Sequence, residues 1–131
     1  YLLVPRVILF RLEHTPRVLV PEVDFVSAPG SSPPNVYRLG GPYALVTGRC
    51  VFTFDRQHRL FRLTSIHAGH TMEEIHEQTG FAFEVASGVG QTPAPDKDTL
   101  ALIRGPIGEA IGNTYPAFGE EILDVPVHRR V

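Results

Sequence analysis

Leu60-Phe61-Arg62-Leu63-Thr64-Ser65-Ile66-His67-Ala68-Gly69-His70-Thr71-Met72-Glu73-Glu74-Ile75-His76-Glu77-Gln78-Thr79-Gly80-Phe81-Ala82-Phe83-Glu84-Val85 changes its hydrophobic period twice, and those changes decide the fold class. From Leu60 to Ile66 the pattern is that of an extended chain. Thr71-Met72-Glu73-Glu74 is a capping box: the Thr71 hydroxyl can accept from the Glu74 amide while the Glu74 carboxylate reaches back to the Thr71 amide. A helix is expected to start there. Met72, Ile75 and Thr79 fall on one helical stripe, and Gly80 stands where a left-handed residue commonly ends a helix. Phe81, Phe83 and Val85 then alternate with Ala82 and Glu84, the period of a strand with one buried face. A strand, a short helix and a strand in succession indicate the α/β class.

Upstream, Tyr43-Ala44-Leu45-Val46-Thr47 and Cys50-Val51-Phe52-Thr53-Phe54-Asp55 predict two short strands. The second forms a hairpin with Leu60–Ile66 across the polar Asp55-Arg56-Gln57-His58-Arg59, whose turn type the residues leave open. Nearer the start, Arg6–Leu12 and Val18-Leu19-Val20 read as strands divided by His14-Thr15-Pro16, because proline cannot donate to a ladder. The consecutive apolar residues Val7-Ile8-Leu9-Phe10 predict a central strand buried on both faces, as in parallel sheets. Val23-Asp24-Phe25-Val26 leads into Ser27-Ala28-Pro29-Gly30-Ser31-Ser32-Pro33-Pro34, a loop by its composition. Downstream, Thr92-Pro93-Ala94-Pro95 forbids regular structure, Asp96 can cap a helix through Leu100, Ala101, Leu102 and Ile103, and Gly105-Pro106 closes it. The expected architecture is an open, largely parallel sheet with short helices, a partial domain over residues 1–106, followed by an arm or tail over residues 107–131.

At 131 residues the chain has the size of one domain. Hydrophobic residues at 43% and charged residues at 20% exclude wholesale disorder. A net charge of −2 without charge blocks gives no footprint for a nucleic acid, and no apolar run is long enough for a membrane span, so neither partner is expected. The single Cys50 cannot form an internal disulfide and fits a reducing cytoplasm. The opening Tyr1-Leu2-Leu3-Val4 lacks a signal-peptide pattern, and the missing initiator Met suggests trimming or a fragment.

The richest chemical cluster is His67, His70, Glu73, Glu74 and His76, since imidazoles and a carboxylate together can hold a transition metal. The spacing argues against it: His67 and His70 precede the helix cap and lack the i, i+4 arrangement of helical zinc ligands. No metal is expected. The plainer reading has the His67 ring bonded to backbone at a strand end and His70 and His76 solvated. Cys50 beside Arg49 could be an activated thiolate, but the start of an apolar strand makes it a buried structural cysteine. Gly88-Val89-Gly90 leads into prolines rather than a helix, so no phosphate loop is present. Ser27 and Ser65 lack the glycines of a nucleophile elbow.

Val51-Phe52-Thr53-Phe54-Asp55, Leu63-Thr64-Ser65-Ile66-His67-Ala68-Gly69, Thr71-Met72-Glu73-Glu74-Ile75 and Thr79-Gly80-Phe81 resemble the C-terminal half of the β subunit of family I CoA-transferases, the glutaconate CoA-transferase branch most of all. Val20–Gly30 is similar to the family segment that ends in Ser-Pro-Gly, and Thr92–Pro95 with Leu102-Ile103-Arg104 to its last linker and helix. The resemblance runs from about Pro5 to Arg104. It departs at His67-Ala68-Gly69, where the family has His-Pro-Gly, and at Thr47-Gly48-Arg49, where it has Thr-Asp-Leu. It implies movement of CoA between carboxylic acids, with a coenzyme A thioester as substrate and no tightly bound cofactor. It also implies oligomerisation with an α-type subunit or with the N-terminal half of the β subunit. The family's nucleophilic glutamate belongs to that half. None of Glu13, Glu22, Glu73, Glu74, Glu77, Glu84, Glu109, Glu120 and Glu121 has its context, so no catalytic residue is expected here, and cofactor-binding residues are unassigned. Relatives of this pattern without that glutamate act as ring-opening hydrolases on CoA thioesters. A non-catalytic interaction module is the alternative from another class.

Overall fold

The computed structural model describes residues 4–33, 35–37 and 40–123. Tyr1-Leu2-Leu3, Pro34 of the expected loop and residues 124–131 of the expected tail lie outside the described residues. Two compact units divide between Thr92 and Pro93.

The first unit is a five-stranded sheet in the order β1 (Val7–Arg11), β2 (Pro42–Thr47), β3 (Cys50–Asp55), β4 (Leu60–Ile66), β5 (Phe83–Gln91). The sheet is mixed: β1 with β2 and β4 with β5 are parallel, while β2, β3 and β4 form an antiparallel meander. The hairpin from Cys50 to Ile66 forms as the alternation predicts, with Phe52 opposite Leu63. Its turn is held by Asp55, whose carboxylate accepts from the amides of Gln57 and His58 at 2.9 and 3.0 Å. The helix α1 (Met72–Gln78) carries the capping box in both directions, Glu74 N–H to Thr71 Oγ1 at 3.2 Å and Thr71 N–H to Glu74 Oε2 at 3.0 Å. Ile75 on the expected stripe is fully buried and docks α1 on the sheet. The core beneath it joins Leu19, Leu45, Cys50, Phe52 and Leu63, with Phe83 edge-on to Phe52 at 5.1 Å between ring centres. Burying such aromatic and aliphatic groups supplies roughly 1.5–3 kcal/mol per side chain.

Four sequence expectations fail in this unit, each for a tertiary reason. β1 is an edge strand, not a central one, and Ile8, Leu9 and Phe10 are 62%, 40% and 67% exposed. Val18-Leu19-Val20 is a turn rather than a strand, since the amides of Val18 and Leu19 both bond the Thr15 carbonyl at 3.0 and 2.8 Å. Leu19 is nonetheless buried, so its apolar character reports the core and not the conformation. Gly80 does not adopt left-handed backbone. It is small because its amide bonds the Leu19 carbonyl at 2.7 Å, where an added Cβ would sit 2.4 Å from that oxygen. The alternation of Phe81, Phe83 and Val85 breaks at Val85, which is 45% exposed. A shift of register between Leu63 and Ser65 opposite β5, with Gly88 at φ 80°, carries that strand on to Gln91.

The second unit is helical. Asp96 caps α2 (Lys97–Leu102) as expected, accepting from the Thr99 amide at 2.7 Å. A wide turn over Ile103–Ile107 follows, in which Gly105 leaves helical dihedrals and Pro106 has no amide to give. The stretch from residue 107, the expected arm or tail, for which periodicity assigns no element, carries α3 (Gly108–Thr114) and α4 (Pro116–Ile122). Gly112 and Gly119 inside these helices, with Gly108 and Pro116 at their starts, hid the periodicity; Pro116 opens α4 at a position that needs no amide.

Candidate functional site

β4 and β5 run parallel and end together at Ile66 and Gln91, and ligands of α/β sheets commonly bind beyond such carboxyl ends. A cleft of about 320 Å³ opens there, lined by Ile66, His67, His70, Met72, Val89, Gly90 and Gln91. The β4–α1 turn brings the two histidines to it, and the continuation of β5 past Gly88 supplies the opposite wall.

His67 is clamped rather than presented. Its Nε2 meets the Thr47 carbonyl at 3.0 Å, and because a carbonyl only accepts, that nitrogen carries a proton. Its Nδ1 lies 2.8 Å from Thr92 Oγ1, which is itself 2.8 Å from Ser65 Oγ. Both ring nitrogens are engaged whichever way the Thr92 hydroxyl turns. The imidazole therefore ties the ends of β2, β4 and β5 together, in agreement with a strand-end histidine bonded to backbone.

His70 and His76, expected to be solvated, both have partners. His70 Nδ1 lies 3.2 Å from Glu74 Oε2, and the exposed His76 ring stacks on Phe83 at 4.8 Å. Glu74 thus serves the cap and His70 at once, with Arg49 3.8 Å from its other oxygen. The Thr71 amide first, then His70 and Arg49, hold its carboxyl below the usual glutamate range. Among the described residues no three His, Cys, Asp or Glu side chains converge as a metal-ligand set.

Cys50 is fully buried, and burial pushes its thiol up to about 11 against a small opposing effect of Thr47. A thiol of that kind is not a nucleophile at neutral pH. Its neighbour is a group the sequence did not mark. His14, 3% exposed, bonds Thr47 Oγ1 through Nδ1 at 2.8 Å and Thr79 Oγ1 through Nε2 at 2.9 Å, with Cys50 Sγ at 3.8 Å. Burial, then the charges of Arg49 and His70, hold its ring down to about 4, so it is neutral in the fold. His14 joins the segment after β1 to the ends of β2 and α1. Its partners lie 33 and 65 residues away, and no local signal could have identified them.

The cleft can hold a ligand and is lined by the imidazoles of His67 and His70, the Gln91 amide and the apolar Ile66, Met72 and Val89. Among the described residues its lining has no nucleophile paired with a free base, since both ring nitrogens of His67 are engaged and His70 is paired with Glu74.

No family model matches the chain. It is 31% identical over 103 residues to the B-type subunit of the 3-oxoadipate CoA-transferase of Pseudomonas knackmussii, covering 74% of this chain and 40% of that protein. It is 30% identical over 100 residues to the B-type subunit of the glutaconate CoA-transferase of Acidaminococcus fermentans, 71% of this chain and 37% of that one. The crystal structure of the latter enzyme superposes with a TM-score of 0.63 at 27% identity over 77% of this chain and 41% of its own. The cholesterol ring-cleaving hydrolase IpdB subunit of Rhodococcus jostii is 33% identical over 96 residues, 70% of this chain and 38% of that subunit. The IpdAB crystal structure from the same bacterium gives a TM-score of 0.69 at 30% identity, covering 76% of this chain and 42% of its own. The chain spans about two fifths of the length of the curated relatives it matches. Over that span it is related to the B-type subunits of family I CoA-transferases and of IpdB-type hydrolases, and its mixed five-stranded sheet with short helices is a part of their fold.

Proposed function

We propose that this chain is the C-terminal part of a B-type subunit in a heteromeric cytoplasmic enzyme that acts on acyl-CoA thioesters, moving CoA between carboxylic acids. The relatives named above supply the class of substrate. The observation that carries the reading is the β1 edge: an apolar strand exposed at Ile8, Leu9 and Phe10, in a chain that spans two fifths of its relatives' length, is a surface made to be covered. An α-type subunit or the remainder of a B-type subunit is its occupant. The absence of a nucleophile–base pair from the cleft fits a catalytic carboxylate supplied from outside this segment. The likeness to IpdAB at a TM-score of 0.69 supports a second reading, hydrolytic ring opening on a CoA thioester in place of transfer.

The test is to assay the purified 131-residue chain, and then the chain co-expressed with the products of its flanking reading frames, for CoA transfer from succinyl-CoA or glutaconyl-CoA to acetate. The chain alone is expected to be inactive and to associate with itself or with those products. Turnover by the isolated chain, or a compact monomer at micromolar concentration that captures none of them, would sink the reading. Release of free CoA without transfer by the assembled complex would select the hydrolase.

A further inference from the structure

The Thr47 hydroxyl, 2% exposed with its residue, is fully subscribed. It accepts from the amides of Arg49 and Cys50 at 3.2 and 3.1 Å, which uses both of its lone pairs. Its one proton has His14 Nδ1 within reach at 2.8 Å and the Cys50 carbonyl at 3.2 Å. A proton on Nδ1 would set three donors against two lone pairs. The buried ring is therefore an acceptor at Nδ1, and its own proton sits on Nε2, which donates to Thr79 Oγ1 at 2.9 Å. Hydrogen-bond geometry alone thus fixes both the tautomer and the neutrality of His14.

The turn between β2 and β3 that sets this condition also anchors the cleft. The Thr47 carbonyl accepts from His67 Nε2 at 3.0 Å, and the Arg49 carbonyl accepts from the His67 amide at 2.8 Å. His67 lines the cleft, so Thr47 and Arg49 meet His14 on one side and hold a cleft wall on the other. The charged and titratable groups around His14 are Arg49 from the β2–β3 turn, His70 from the β4–α1 turn and the Cys50 thiol of β3 at 3.8 Å. Thr79, after α1, brings a neutral hydroxyl, and the Phe52 ring of β3 stacks at 6.3 Å. Among the described residues no carboxylate bonds the ring to offset a second proton.

From this geometry we infer that His14, Thr47 and His67 form an acid-released latch on the cleft. A proton taken from solvent by His14 Nδ1 displaces the Arg49 or the Cys50 amide from the Thr47 hydroxyl, loosens the β2–β3 turn and frees the His67 ring from the Thr47 carbonyl. The ring then keeps only its tie through Thr92 to Ser65, which does not pass through that turn. His14 is a positioning residue for His67, and the release is local, because the contacts of Phe52, Leu63 and Ile75 in the core do not run through these bonds. Burial, with Arg49 and His70, places the event in acid solution rather than at neutral pH. This latch is a property of the fold whatever ligand the cleft takes, and it stands apart from the acyl-CoA reading.

The full chain, isotope-labelled at histidine and backbone nitrogen, is followed by nuclear magnetic resonance from pH 7 to pH 4.5 beside His14→Gln. At pH 7 His14 is expected with its proton on Nε2; a ring protonated at Nδ1 instead overturns the assignment. As the pH falls, the His67 Nε2–H signal is expected to be lost in step with the titration of His14, together with the exchange protection of the Arg49 or the Cys50 amide, while the β3–β4 ladder stays protected. In His14→Gln, whose amide can accept from Thr47 and donate to Thr79 without titrating, the His67 signal is expected to persist over the same range. Should that variant fail to fold, the wild type decides by whether His14 and His67 share one midpoint. A His67 transition with a midpoint of its own, one that persists in His14→Gln, or one that appears only as the β3–β4 ladder loses protection overturns the latch.

Discussion

Protonating His14 should destabilise this protein from within. The ring lies buried between two hydroxyls, with Arg49 and His70 as its nearest charges, and its proton affinity falls from the ordinary 6.5 to about 4. Because the folded state holds this proton less tightly than the unfolded chain, the unfolded chain gains protons first as pH falls. The contribution of His14 is therefore present above pH 6.5 and is lost progressively down to pH 4. Between pH 7 and pH 5.5 the loss is about 1 kcal/mol, and by pH 4.5 about 2.5 kcal/mol, against a limit of about 3.4 kcal/mol. Against a typical total of about 5–15 kcal/mol, that is a large fraction. The carboxylates of Asp55, Glu74 and Asp96, all held below their usual range, also weaken the fold as pH falls through those values, while the raised His58 acts in the opposite direction. These groups are common to wild type and His14→Gln, whose amide can reach the same hydroxyls but cannot titrate. Urea denaturation of both at pH 7, 5.5 and 4.5 isolates His14 as the difference between the curves. The gap in unfolding free energy should close, or reverse in favour of the variant, by about 2.5 kcal/mol across that range. Two curves that stay parallel would refute the argument.

Thr71→Ala removes the hydroxyl that accepts from the Glu74 amide and should cost about 1 kcal/mol, within roughly 0.5–2, read as a fall of a few degrees in melting temperature. An unchanged melting temperature would mean that α1 is held by Ile75 alone. Gly80→Ala forces a methyl against the Leu19 carbonyl and should cost about 1–3 kcal/mol, while Gly90→Ala, with nothing within 4 Å of the new atom, should be near neutral; equal effects in chemical denaturation would contradict the close-approach reading.

What the sequence made legible was whatever is settled within a few residues. The capping box from Thr71 to Glu74, the hairpin from Cys50 to Ile66 and the Asp96 cap all depend on neighbours in the chain, and all are found. The failures arise where contacts distant in sequence decide the outcome, and at Leu19 apolar character reports burial and not backbone shape. Leu19 is buried in a turn, so Val18-Leu19-Val20 imitated a strand. Gly80 looked like a helix stop and is a contact point with a residue 61 positions earlier. The histidines divide in the same way. His67 at a strand end was readable, whereas His14 owes its burial to Thr47 and Thr79, which only the assembled fold brings to it.

The most instructive misreading is β1, because the inference behind it was chemically sound. Val7-Ile8-Leu9-Phe10 has the composition of a strand covered on both faces, and the sheet order places it at an open edge. Alternation does not rescue it: Ile8 and Phe10 face one way and Leu9 the other, and all are at least 40% exposed. Protective devices for edge strands are scarce here, since the strand has no proline and only Arg11 as a charge. An isolated domain with such an edge is prone to pair with the next chain it meets. Relatives of this chain are subunits of two-component enzymes such as IpdAB, and they are more than twice as long as the part matched. On the function proposed above, the exposed strand is where a partner chain would pair. Replacing Phe10 with a charged residue is the change that would separate fold from association, because the side chain contributes nothing to the core that Phe52, Leu63 and Ile75 form without it.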